Sequence, residues 1–238
     1  MNNKIILVLL LLYILYSKYK IKHENYDIVL APGGILGFYT LGICHYIKNN
    51  YNIENKKMIG FSAGSFNLIF MSLKDKYNID YLSKLFNLNI RGSDNPKKII
   101  SLLQKNMEIE VKFDDLIFDN KYIGLTTNNM TLRTFNKFNT NKELINCCIA
   151  SSFIPYVTYD DLFYFYKGSN YFDGGIMYHF LKKTLNQECL IISYKMFNRW
   201  TNCNFDILNK KDISIYELYN LGYHDAIKNK KYLDSFLL

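Results

Sequence analysis

The 238-residue sequence is poor in arginine, proline and tryptophan: Arg91, Arg133 and Arg199 are its arginines, proline occurs three times and tryptophan once. Lys+Arg exceeds Asp+Glu by 29 to 21, giving +8, but with so little arginine, none of it clustered, the excess makes no phosphate-clamping surface. A dedicated nucleic-acid binder is therefore not expected. The five cysteines (Cys44, Cys147, Cys148, Cys189 and Cys203) are odd in number and lack C-x-x-C spacing. That argues against a disulfide framework or a zinc site, and they read as reduced, mostly buried thiols in a cytosol-facing domain. No G-K-[ST], H-E-x-x-H or calcium loop occurs, so no metal or cofactor is implied. What is present is apolar bulk: 49% hydrophobic and 16% aromatic residues supply a sizeable core. The abundance of Asn, Lys, Ile, Tyr and Phe is the bias that AT-rich codons produce, so the basic excess reflects composition as much as function.

One segment is exceptional. Residues 5–16 (IILVLLLLYILY) are uninterrupted apolar residues. As a helix they reach only about 18 Å, short of the roughly 30 Å hydrocarbon core. No small-residue cleavage site follows; instead Ser17-Lys18-Tyr19-Lys20-Ile21-Lys22 supplies headgroup-seeking tyrosine and snorkelling lysines. Residues 1–22 are thus expected to be an uncleaved membrane anchor, with the remaining chain (23–238) as one domain on the cytoplasmic side. The competing reading is a buried N-terminal element of that domain.

Downstream, residues 26–31 read as a strand running through a glycine turn into a helix over about 38–48. Residues 57–61 read as a second strand, followed at once by a helix over 65–73. Two successive strand–turn–helix units predict an α/β fold with a parallel sheet. Helices are expected over 79–87, 96–105 and 144–149, a hairpin over 122–127 and 131–135, a later parallel strand over 190–194, and a closing helical region over 213–236. The single Asn-x-[ST] match, Asn129-Met130-Thr131, falls in the hairpin turn and is expected to be unmodified.

Three elements carry chemistry. Gly60-Phe61-Ser62-Ala63-Gly64 is a G-x-S-x-G at a strand-to-helix junction, where Gly60 and Gly64 permit a sharp turn that lifts the serine hydroxyl to a helix N-terminus. Its bland reading is a helix-capping serine between turn glycines. Upstream, Gly33-Gly34 in Ala31-Pro32-Gly33-Gly34-Ile35-Leu36-Gly37 fits neither a dinucleotide fingerprint nor a Walker loop, and suits an oxyanion hole of backbone N–H groups; otherwise it is a helix-start turn. Asp173 in Tyr171-Phe172-Asp173-Gly174-Gly175 follows an aromatic strand and could accept the serine proton, or could belong to an ordinary turn.

Together, in this order, these elements resemble the patatin-like phospholipase domain, which carries a glycine-rich oxyanion loop, then G-x-S-x-G, then D-G-[GA]. Ala150-Ser151-Ser152-Phe153-Ile154-Pro155 is similar to the family's A-S-x-x-I-P segment, Gly34 to Gly42 to the loop-helix of the animal triglyceride-lipase branch, and Leu218 to Ala226 to its closing helix. The resemblance covers about residues 26–228. It implies a modified α/β-hydrolase three-layer fold with a mainly parallel central sheet. It also implies a Ser62–Asp173 dyad without a catalytic histidine, Gly33 and Gly34 as oxyanion donors, and lipid substrates at a membrane surface. Two departures stand out: Pro32 occupies a loop position where the family usually has glycine and has no N–H to give, and Leu36 replaces a common cation, as in the triglyceride-lipase branch. Two rivals stay open: a Ser–Asp–His triad using His179 or His224, and a catalytically inactive, membrane-anchored lipid-binding protein.

Overall fold

The computed structural model describes residues 25–74, 78–199 and 213–238. The expected anchor, 1–22, and Cys203 lie outside the described residues. In chain order the elements are β1 (Ile28–Leu30), a 3-10 turn (Gly34–Leu36), α1 (Gly37–Asn50), β2 (Met58–Gly60), α2 (Ala63–Ser72), α3 (Asn78–Phe86) and α4 (Pro96–Glu110). After a second 3-10 turn (Phe113–Asp115) come β3 (Lys121–Thr127), β4 (Leu132–Phe135), α5 (Asn141–Ser151), β5 (Tyr164–Tyr166), β6 (Ser169–Phe172), α6 (Gly175–Leu181), β7 (Leu190–Ile192), α7 (Ile215–Lys228) and α8 (Lys230–Leu237).

One sheet runs β5-β6-β3-β2-β1-β7, with β4 also paired to β3. The β7-β1-β2-β3 core is parallel, in register through Ile28↔Leu190, Ile28↔Met58 and Met58↔Lys121. The β3–β4, β3–β6 and β5–β6 pairs are antiparallel. The fold is therefore α/β with a mostly parallel central sheet, as the two strand–turn–helix units predict. Whereas β3 runs for seven residues, β1, β2 and β7 are only three residues long, largely buried on both faces and handing over at once to a turn. Their side chains alternate between unequal layers. Ile28 and Leu30 face the large core built with α1, α2, α5 and α7, whereas Val29, Ile59 and Phe61 face a small one closed by Tyr178 and Leu181 of α6.

Local chemistry sets the helix ends. Asn95 accepts from the Lys97 N–H ahead of Pro96 at the first turn of α4, Thr140 accepts from the Glu143 N–H at α5, and Ser214 and Glu217 form a reciprocal capping box at α7. At the far end of α2, the Lys48 ammonium donates to the Met71 carbonyl (3.1 Å) and the Leu73 carbonyl (2.5 Å). Helices α1 and α7 cross with backbone in contact: a Cβ on Gly222 would lie 1.8 Å from the Tyr39 carbonyl oxygen, and one on Gly42 2.0 Å from that of Tyr219. Beside this crossing the buried Asp225 carboxylate accepts from Tyr39 Oη (2.8 Å) and takes the Arg199 guanidinium on both oxygens. Burial would raise that carboxyl, but the Arg199 and Tyr39 hydrogen bonds outweigh it and hold Asp225 below the usual carboxylate range.

The expected closing helical region consists of two helices that meet at Asn229, whose side-chain amide donates to the Asp225 carbonyl and whose own carbonyl starts the next turn. Cys44, Cys147, Cys148 and Cys189 are buried free thiols. Among the described residues no helix is long and apolar enough to cross a membrane.

Candidate active site

The C-terminal ends of β1 and β2 deliver the glycine loop and the serine to the same end of the sheet, the usual location of sites in parallel sheets. After Gly60, Phe61 is fully buried against Tyr178, and Ser62 adopts φ 51, ψ −126 before α2 begins. A left-handed φ on a non-glycine residue is strained, and the surroundings hold it there. The flanking glycines are a steric requirement: a Cβ on Gly60 would lie 2.6 Å from the Gly64 carbonyl oxygen, and one on Gly64 2.2 Å from that of Leu30.

Ser62 makes no side-chain cap to α2, so the helix-capping reading does not describe it. Its Oγ instead donates to Asp173 Oδ2 at 2.7 Å, across 111 residues of sequence. Asp173 Oδ1 accepts from the Gly175 N–H at 2.6 Å, and the Asp173 N–H donates to the Phe153 carbonyl at 2.8 Å. Burial pushes the Asp173 carboxyl up to about 6, although the hydrogen bonds from Ser62 and Gly175 pull it down. A carboxylate so placed is ionised at neutral pH yet basic enough to take a hydroxyl proton.

The glycine loop lies against both partners. A Cβ on Gly175 would lie 3.1 Å from Pro32 Cβ, and one on Gly37 would meet Ala63 Cβ at 2.6 Å. Pro32 thus packs on the D-G-G turn, and its missing N–H falls where a ring is accommodated. Gly34 sits at φ +52, a conformation glycine adopts freely. Among the described residues no acceptor takes the Gly33 or Gly34 N–H.

The histidines are elsewhere. His179 and His224 are exposed, and neither bonds Ser62 or Asp173. Burial of part of the ring and the fields of Lys182, Lys183 and Lys195 hold His179 below the usual imidazole range. His45 contacts Tyr219 Oη and Asn49 Nδ2, and His23 lies outside the described residues. A cavity of about 270 Å³ lined by Lys48, Tyr51, Met71 and Lys121 opens at the opposite end of the sheet. Buried Lys121 donates to the Glu54, Lys56 and Asp119 carbonyls and half-buried Lys48 to those of Met71 and Leu73, an arrangement spent on main chain and not suited to ester chemistry.

Reading the sequence did not single out three contributors. Ser151 Oγ accepts from the Ser62 N–H (2.9 Å) while donating to the Gly124 carbonyl (2.8 Å), bracing the strained serine from behind. Thr126 Oγ1 donates to the Asp173 carbonyl at 2.7 Å. Ala63, the residue after the nucleophile candidate, presents its N–H at the first turn of α2, a usual place for an oxyanion donor. The A-S-x-x-I-P segment was the signal for Ser151; Thr126 had none.

No curated relative matches the chain. A family model, described as patatin-like phospholipase, matches residues 28–180, a span that contains the glycine loop, Ser62, Ser151 and Asp173 and more than half of the sequence. The chain therefore belongs to the patatin-like phospholipase family.

Proposed function

We propose that the chain is a serine acyl hydrolase that cleaves fatty-acyl esters of membrane lipids through a Ser62–Asp173 dyad. The observation that carries this reading is the 2.7 Å hydrogen bond from Ser62 Oγ to the half-buried Asp173 carboxylate. Membership in a family of lipid acyl hydrolases supports the substrate class. Asp173 takes the Ser62 proton as Oγ bonds to the ester carbonyl carbon, and the oxygen that becomes negative is held by the Gly33 and Gly34 N–H groups. Collapse breaks the ester C–O bond, and the departing alcohol takes the proton from Asp173. Water, deprotonated by Asp173, then attacks the acyl-serine; the fatty acid leaves and Ser62 recovers its proton.

Fluorophosphonate labelling of the full chain tests the reading. An adduct is expected on the peptide containing Ser62, and none in Ser62→Ala. Folded protein that takes no label would overturn it and favour a lipid-binding protein without turnover.

The proposal includes residues 1–22 as an uncleaved anchor that keeps the hydrolase on the cytoplasmic side of a membrane. Alkaline carbonate extraction is expected to leave full-length chain in the membrane pellet. Release into the supernatant would overturn the anchoring.

A further inference from the structure

Between Phe153, whose carbonyl accepts from the Asp173 N–H, and Phe172, which precedes Asp173, the chain makes an excursion whose tips are apolar and open to solvent. Phe165 is 71% exposed and Tyr156 57%, with Ile154, Val157 and Leu162 exposed beside them in sequence. This is a built surface. Thr158, buried, donates its hydroxyl to the Ile154 carbonyl and accepts from the Ile154 N–H at 2.8 Å, closing the 154–158 turn. Tyr159 and Tyr164 pack inward on Phe153. In β5 the pleat sends Tyr166 to the core and Phe165 outward, and Phe163 rests on Phe172 at 4.8 Å, next to Asp173.

We infer that this 154–165 surface is a docking face for a lipid bilayer, separate from residues 1–22, that sets the catalytic end of the sheet against the interface. A bilayer is the occupant that fits three features. The patch mixes aliphatic, Phe and Tyr side chains, the set that seeks the boundary between acyl chains and headgroups. It starts directly after Phe153, whose carbonyl accepts from the Asp173 N–H, and Phe163 packs on Phe172, the chain neighbour of Asp173, so the patch adjoins the Ser62–Asp173 pair. At the same end of the sheet stand exposed Lys182 and Lys183, after α6, and Lys195, after β7, complementary to lipid phosphate. The excursion's own charges are Asp160, paired with Lys97, Asp161, and Lys167, paired with Glu143.

The inference rests on the lipid-hydrolase reading for its occupant, but its test needs no turnover. In the full chain carrying Ser62→Ala and Trp200→Phe, Phe165→Trp provides a single reporter. Vesicles of equimolar phosphatidylcholine and phosphatidylglycerol, with or without brominated acyl chains, provide the quencher. Insertion to the acyl boundary is expected to quench the reporter about two-fold on brominated vesicles. The same background with Ile109→Trp, at the end of α4 that leads to the segment bonded to Lys74, should stay unquenched. Tyr156→Trp repeats the test at a second exposed position. An unquenched reporter at both positions, equal quenching at 109, or no binding to vesicles would overturn the inference. So would a spectral shift that tracks protein concentration without lipid, which would assign the face to a second copy of the chain. Failure of the hydrolase reading would appear separately, as absent labelling at Ser62.

Discussion

Asp173→Asn is expected to lower kcat/KM on a short-chain soluble ester by about a thousand-fold at pH 7, while folding improves. The carboxamide oxygen can keep the hydrogen bond from Gly175, but it cannot take the Ser62 proton. The stability effect follows from the sign of the pKa shift. Burial raises the Asp173 carboxyl from 3.8 to about 6, so between those values the folded chain holds a proton that the unfolded chain has released. Stability therefore falls as pH rises through that window, by on the order of 2–3 kcal/mol in all. The amide variant escapes this loss. Urea denaturation should find it more stable than the parent at pH 7 and no different below pH 4. Over the same range, kcat/KM of the parent should climb to a plateau with a midpoint near 6, as the base becomes available. A flat rate profile would remove Asp173 from the proton transfer.

Gly222→Ala is expected to destabilise the fold by about 3 kcal/mol or more, read as a lower urea midpoint, and to slow fluorophosphonate labelling of Ser62. The added methyl would sit 1.8 Å from the Tyr39 carbonyl oxygen, which is backbone and cannot swing aside. Helix α7 must move off α1, and the Asp225 carboxylate, three residues on, is pulled from Tyr39 and Arg199. Because α1 begins at Gly37, directly after the glycine loop, displacement of its first turns carries Gly33 and Gly34 with it. Unchanged stability would mean that the crossing is looser than this packing requires.

The strands and their turns were legible because they obey local rules. Short β-branched runs followed by glycine give β1 and β2, and the elbow glycines are readable since only glycine tolerates backbone at that distance. Hairpin β3–β4 likewise announces itself through its turn residues. What could not be read was long-range pairing. Both β4 and β6 pair with β3, and no periodicity in 164–172 specifies that partner. Helix α4 runs on to Glu110, past the expected end at 105, since Met107 finds a buried place that tertiary packing alone supplies. The roles of Ser151 and Thr126 depend on single hydroxyl contacts, which leave no pattern in composition or spacing. Asp173 stands out in the sequence through its glycines, and its environment does not: the burial that raises its carboxyl comes from segments distant in sequence.

The capping of α2 has a consequence for how such a sequence can change. With Ser62 at one end and Lys48 covering the carbonyls at the other, the aligned peptide dipoles of α2 keep their positive pole at the serine. Among the described residues, the Asp173 carboxylate accepts from Ser62 Oγ and from the Gly175 N–H, and neither side chain bonds a cationic side chain. The polarity around the Ser62–Asp173 pair is thus written in main chain. Replacing lysines elsewhere on the surface by asparagine, or the reverse, alters net charge without altering that polarity. A nucleotide bias that reshapes most of the exterior can therefore run its course while the surroundings of the Ser62–Asp173 pair stay chemically the same.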